Sequence, residues 1–217
     1  MSGYSRSPKL LRGGLVLLDP VSGYLLRIIG LQYNPDTMTR SLQIRGAGSE
    51  SGDHIEVLRL KGPPVETIKL EIEIDATDAG GEAPLPGSNP GLHPQLASIE
   101  ALVHPASADL FANNATASAG WLEIAPVSGP LTVFVFGPNR IVPVRITELS
   151  ITEEAFDTSL NPIRAKLSLG LRVLSIDDIG FDSKGGGLFM GYLQAKERLA
   201  SQAAGSDFRS LGIPGIF

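Results

Sequence analysis

The sequence predicts a mainly β, antiparallel fold with few helices. Two stretches, residues 68–75 and 163–173, alternate strictly between apolar and polar residues. This period of two is typical of a strand with one face in a core and the other in water. Turn-forming residues separate the apolar segments, as they do in sheets whose strands follow one another by short connections. The patterns together favour one β-rich antiparallel domain.

The longest predicted element is a hairpin over residues 141–176. In its first strand the apolar residues alternate at Val142, Val144 and Ile146, and the alternation slips by one residue near Glu148. A slip of one residue predicts a β-bulge. The second strand places on one face Ile163, Ala165, Leu167, Leu169, Leu171 and Val173. We expect more sheet or a helix to cover this face, because an isolated hairpin is only marginally stable.

The remaining strands are shorter. A first hairpin pairs residues 15–18 with residues 24–29 across an Asp-Pro…Ser-Gly turn, and a further strand covers residues 131–136. Two glycine-rich or proline-rich segments, residues 46–52 and 78–91, read as loops. In residues 32–36, the proline after Asn34 predicts that the chain leaves the first hairpin in an extended conformation.

One helix is expected before the C-terminal part of the chain, from Pro94 to Val103. Its apolar residues Leu96, Ile99, Leu102 and Val103 recur at helical spacing. We therefore expect this face to pack over the sheet.

The C-terminal part of the chain changes in composition after residue 176. Residues 177–187 are polar and glycine-rich, which predicts a linker. The helix expected over residues 188–204 carries an apolar stripe of Phe189, Tyr192, Leu193 and Leu199. We divide the chain into a β-domain (residues 1–176) and a tail (residues 177–217). The stripe docks either on its own domain or on a neighbouring subunit or partner, and we favour the partner.

Composition excludes several classes of function. Cysteine is absent, so no disulfide, thiolate metal site or cysteine nucleophile exists. The net charge is −5 and basic residues are scattered, so we expect no binding to nucleic acid or membranes. The three histidines, His54, His93 and His104, lack metal-ligand spacing, and no Gly-x-Ser-x-Gly elbow occurs. We expect no catalytic residue, no cofactor and no metal, and no signal peptide is recognisable at the N-terminus.

Two motifs carry a family resemblance. Residues 32–35, Gln-Tyr-Asn-Pro, followed by Arg40-Ser41, and the pair Phe156-Asp157 followed by Asn161-Pro162-Ile163-Arg164-Ala165, resemble motifs of the tube-type baseplate proteins of contractile injection systems, the phage-tail-like particles. Between them, Val133 to Gly137 resembles the family's aromatic-glycine strand end, where Trp is commoner than Phe136. The motif positions Tyr33, Asn34, Pro35, Phe156, Asp157, Pro162, Arg164 and Ala165 are expected to be structural.

The resemblance implies a tube-protein-like β-barrel or sandwich with one flanking helix, of which six copies form a ring. This ring would join the spike hub to the inner tube and initiate tube assembly, with other baseplate components as partners. The peptidoglycan-binding module of longer relatives has no counterpart here. Assembly in the cytoplasm is implied, followed by a place in a released or cell-associated particle. The alternatives are the major inner tube protein, a free ligand-binding β-barrel module and, least favoured, a hydrolase.

Overall fold

Seven strands form one antiparallel sheet in the computed structural model, which describes residues 11–46, 59–78, 91–118, 129–203, 208 and 212–216. The strands are β1 (Gly14–Leu18), β2 (Leu25–Gly30), β3 (Met38–Gln43), β4 (Val65–Asp75), β5 (Leu131–Val135), β6 (Ile141–Phe156) and β7 (Pro162–Val173). Their order across the sheet is β2-β1-β5-β6-β7-β4-β3, so β2 and β3 are the edge strands. The prediction of a mainly β, antiparallel fold is confirmed.

The long hairpin β6–β7 lies at the centre of this sheet. Its register shifts between Ile146 and Glu148, which confirms the predicted bulge. The bulge places the side chain of Glu148 over Gly170 of β7, where an added Cβ would lie 2.9 Å from the Cβ of Glu148. Beyond residue 144, β6 is paired only with β7 in the described part of the chain.

Four helices complete the described fold: α1 (His93–Glu100), α2 (Ser107–Ser118), α3 (Ile176–Ile179) and α4 (Lys184–Gln202). Helix α1 contributes Leu96 and Ile99 to the core, and Leu102 packs against it half-buried. Val103 is exposed, contrary to the prediction, because α1 ends at Glu100 and the chain turns away. The core unites α1 and α4 with the inward faces of β1, β4, β5, β6 and β7.

Helix α2 was not predicted. Residues 106–118 are small and polar and show no apolar stripe, and α2 buries no side chain. Its four alanines favour a helix through local propensity alone. Leu110 and Phe111 on this helix are exposed.

The predicted glycine linker over residues 177–187 is wrong. Helix α3 starts at a capping box formed by Ser175 and Asp178, and α4 starts at Lys184 and contains all three glycines of residues 185–187. A Cβ at Gly185 would meet the side chain of Ile179, and one at Gly186 would meet the carbonyl oxygen of Gly180. These glycines therefore allow close packing of α3 and α4 and do not serve as a flexible connection.

The division into a β-domain and a separate tail is also corrected by the packing of α4. Phe189 and Tyr192 of α4 are buried in the same hydrophobic cluster as the sheet. The predicted loops at residues 46–52 and 78–91, and the end of the predicted tail helix at residue 204, lie largely or wholly outside the described residues.

Candidate interface site

Asn34 fastens the loop of the first motif to the start of β1. Its Oδ1 accepts a hydrogen bond from the backbone N–H of Gly13 at 2.9 Å, and its Nδ2 donates to the carbonyl of Leu11 at 2.8 Å. One side chain thus bonds two backbone groups more than twenty residues away. Tyr33 is exposed and Pro35 half-buried on the same loop.

Asp157 organises the turn of the second motif. Its Oδ1 accepts from the backbone N–H groups of Ser159 at 2.7 Å and Asn161 at 2.8 Å, and its Oδ2 accepts from the Asn161 amide at 2.9 Å. Hydrogen bonds from the side chain and backbone of Asn161 hold the pKa of Asp157 below its ordinary value. Leu160 adopts a positive φ of 64° in this turn and is 78% exposed, and Phe156 is exposed beside it.

Pro162 ties this turn to the start of α1. Its buried carbonyl group accepts a hydrogen bond from the N–H of Leu92 at 2.9 Å. Gly91 has a φ of 58°, and a side chain there would collide with the Pro162 carbonyl. Ala165 follows as a fully buried core residue of β7. The two motif positions Pro162 and Ala165 are therefore both buried.

The two motifs meet at Asp75, the last residue of β4. Gln32, the first residue of the first motif, donates its amide to the Asp75 carbonyl at 2.7 Å and accepts from the Asp75 N–H at 3.0 Å. Arg164 of the second motif donates twice to Asp75 Oδ2, at 3.0 and 2.9 Å. Segments more than 120 residues apart in sequence therefore share one residue as their anchor.

The carboxylate of Asp75 is strongly stabilised in its ionised form. Hydrogen bonds from the hydroxyl and the N–H of Thr77, followed by those from Arg164, lower its pKa to about 2. The ion pair therefore remains intact at every pH at which the folded chain is expected to work.

A groove of about 1330 Å³ opens beside this junction, between the first-motif loop and the polar face of the sheet. The sheet side is lined by Glu71, Glu73, Ser150, Thr152, Lys166 and Ser168. Lys166 lies 3.1 Å from Glu154 and 4.0 Å from Glu73, and the Glu154 hydrogen bond raises the pKa of Lys166. These ion pairs place charges of both signs on the sheet side of the groove.

The two sheet edges carry exposed apolar side chains. At one edge, which we call the β2 patch, these are Val21, Tyr24, Leu25, Leu26 and Ile28. At the other edge, the β3 patch, they are Leu42, Ile44 and Leu60. Leu26 is 58% exposed and Ile28 is 62% exposed. A cluster of exposed apolar side chains on an edge strand is a typical sign of an interaction surface.

The predicted partner-docking stripe of α4 is divided by the structure. Phe189 and Tyr192 are buried in the chain's own core, which corrects the preference for docking on a partner at these two positions. Leu193 is half-buried and Leu199 is exposed, so only the distal part of the stripe is left accessible.

Glu66 is a buried charged residue that sequence reasoning missed. It is 4% exposed and lies on the inward face of β4, two residues before Ile68. Its carboxylate accepts from Arg40 at 2.6 Å, Lys196 at 2.9 Å and the Tyr192 hydroxyl at 3.0 Å. Burial opposes its ionisation, but the hydrogen bonds from Lys196 and Arg40 outweigh burial and keep its pKa below the ordinary value. The sequence did carry a signal for this residue, because Glu66 alternates with Ile68 and Leu70 and therefore lies on the face of the strand that is expected to be buried.

No protein-family model matches the chain, and a search of curated proteins returns no match. None of the described helices is long and apolar enough to span a membrane. Within the described ranges, no cluster of three or more His, Asp or Glu side chains is arranged to hold a metal ion.

Proposed function

We propose that this chain is a structural subunit of a contractile injection system baseplate. Copies of it form a ring, with six subunits implied by the family resemblance, and the ring joins the spike hub to the inner tube and initiates tube assembly. The observation that carries the proposal is the open sheet with a different apolar patch at each edge.

Two different patches on opposite edges favour a head-to-tail contact between copies. A heterologous contact of this kind closes into a ring when the rotation between neighbours divides a full turn. Strand addition at an unpaired edge supplies main-chain hydrogen bonds, and the alternate side chains supply apolar contact. After residue 144, the side of β6 that faces away from β7 pairs with no other described strand, and it offers a further edge for strand addition.

The convergence of both motifs on Asp75 supports the family assignment. Gln32 and Arg164 hold the loop and the hairpin to one strand end. Motif residues that anchor two surface loops to each other are expected in a protein whose loops must meet partners at fixed positions. This agrees with a structural role for the motifs.

The mass of the purified chain tests the proposal directly. We expect native mass spectrometry and electron microscopy to show single closed rings. Ile28→Lys in the β2 patch and Leu42→Lys in the β3 patch should each reduce ring formation, because an edge lysine opposes strand addition. Leu110→Lys on α2 is the matched control, since it makes the same kind of change outside the sheet.

Other outcomes would decide against the adaptor role. Long tubes that grow with concentration would identify the chain as the inner tube protein. A monomer at all concentrations, with or without spike hub and tube proteins, would contradict the proposal and favour a ligand-binding module.

A further inference from the structure

The edge strand β3 is held weakly by its own residues. All six of its side chains are exposed or half-buried, and its backbone pairs with β4 alone among the described strands. A short strand with no buried side chain contributes little hydrophobic stabilisation of its own. Other contacts must therefore fix its position at the edge of the sheet.

Arg40 supplies the first of these contacts. From the middle of β3 its guanidinium donates to Glu66 of the neighbouring strand and, at 3.0 Å, to the hydroxyl of Tyr192 on α4. Lys196, one turn further along α4, donates to the other carboxylate oxygen and lies 4.1 Å from the centre of the Tyr192 ring. One carboxylate thereby joins β3, β4 and α4.

Arg45 supplies the second contact, just beyond the end of β3. Its Nη1 donates to Asp177 of α3 at 2.6 Å. Both arginines on or next to the edge strand therefore reach the C-terminal helices. These helices are themselves locked together, because Gly185 and Gly186 leave no space between α3 and α4.

We propose that α3 and α4 form a brace that holds the edge strand β3 in place, with Glu66 as the positioning residue that transmits the constraint. Loss of the Glu66 contacts then loosens β3 and the part of α4 around Tyr192 and Lys196, while the rest of the sheet keeps its own core contacts. The consequence for assembly rests on the proposed function, because only a fixed β3 edge can pair with a neighbouring copy. The brace itself does not depend on that function.

Hydrogen exchange followed by mass spectrometry on the full chain tests the brace. In Glu66→Gln the two cations lose their counter-charge, and we expect the amides of β3 and α4 to exchange about tenfold faster than in the parent chain. Amides of β2 and of the β6–β7 hairpin should keep the parent rates. Glu100→Gln, at an exposed position of α1 outside the groove and both patches, is the matched control and should change none of these rates.

Uniform acceleration in all strands would overturn the brace, because it would mean that Glu66 serves global stability alone. Faster exchange in α4 with β3 unchanged would overturn it as well. If Glu66→Gln does not fold, Tyr192→Phe replaces it, since this change removes one hydroxyl and keeps the buried ring. It should loosen β3 and α4 together by a smaller factor, and an unchanged β3 would contradict the proposal.

The same variants separate this inference from the ring proposal. If the parent chain forms rings, Glu66→Gln should weaken them and Glu100→Gln should not. Rings of equal strength in both would overturn the link between the brace and the interface. A monomeric parent chain would contradict the ring, while the exchange rates would still decide whether the brace exists.

Discussion

The two hairpins β6–β7 and β1–β2 differ in the side chains that they carry on the face turned away from the core. In β6–β7, one face packs into the core through Leu167, Leu169 and Leu171, and the other carries polar and charged side chains such as Lys166. In β1–β2, Leu15 and Leu17 are buried, yet Leu26 and Ile28 remain exposed.

The contrast shows which hairpin is complete within one chain. On the outward face of β7, Arg164 and Lys166 form ion pairs with carboxylates of β4 and β6. The outward residues of β2 would gain stability only from apolar contact, which the described part of the chain does not provide. Under the proposed function, the first hairpin is a surface that a second copy of the chain covers.

The largest effect is expected from the core face of the long hairpin. Leu169→Ala should lower the free energy of unfolding by about 2–5 kcal/mol, because it removes a fully buried side chain from a packed core. Chemical denaturation measures this directly. Ser168→Ala, the adjacent residue on the opposite face, should change stability by less than about 0.5 kcal/mol. Equal effects at both positions would show that the two faces are not distinct.

A smaller effect of opposite signs is expected at two neighbouring glycines of α4. Gly186→Ala should destabilise the fold by about 1–3 kcal/mol, since the new Cβ would collide with backbone atoms of Gly180 and Phe181. Gly187→Ala should instead stabilise it by about 0.5–1 kcal/mol, because nothing lies near its Cβ and alanine favours a helix. Thermal unfolding of both variants checks this pair. Stabilisation by both would mean that α3 and α4 are not in close contact.

Acid should weaken the ion pair between Asp75 and Arg164. The folded pKa of Asp75 is about 2, below its ordinary value of 3.8, so the unfolded chain takes up the proton first. The stability from Asp75 is full above about pH 4 and is lost as the pH falls through about 2. Asp75→Asn should be less stable at neutral pH and lose less on acidification, as equilibrium unfolding across this range will show. If the stability of both proteins fell equally with falling pH, the lowered pKa of Asp75 would be contradicted.

The smallest change in stability is expected in the β2 patch. Ile28→Ser should alter the free energy of unfolding of the dilute, dissociated chain by less than about 0.5 kcal/mol, as is usual for surface positions. The same substitution should lower the mass observed at high concentration, because it removes apolar contact between copies. Loss of several kcal/mol in the dissociated chain would show that Ile28 belongs to the chain's own core.

Strand patterns were predictable where alternation was strict. The apolar residues of 163–173 and the slip before Glu148 gave β7 and the bulge correctly, because a one-residue shift changes the face of every later side chain. Helix α2 was missed because none of its residues is buried, so its sequence carries no apolar stripe at helical spacing. The three glycines were misread because composition alone does not distinguish flexibility from close packing.

The candidate site was less predictable than the fold. Gln32 and Arg164 were identified as parts of the two motifs, but their meeting at Asp75 depends on the register that pairs Asp75 with Arg164. That register follows from the whole sheet and not from either motif. Glu66 was detectable as a charge in an inward position, whereas its partners on α4 required knowing where that helix lies.

The bulge in β6 restricts which amino acids can evolve on the opposite strand. Because Glu148 and Thr147 crowd the position above Gly170, any side chain there would have to displace the inserted residue. The extra residue and the glycine are therefore expected to be inherited as a pair. A homologue in which β6 is one residue shorter at this point should be free to carry a larger residue in place of Gly170, and one that keeps the insertion should keep the glycine.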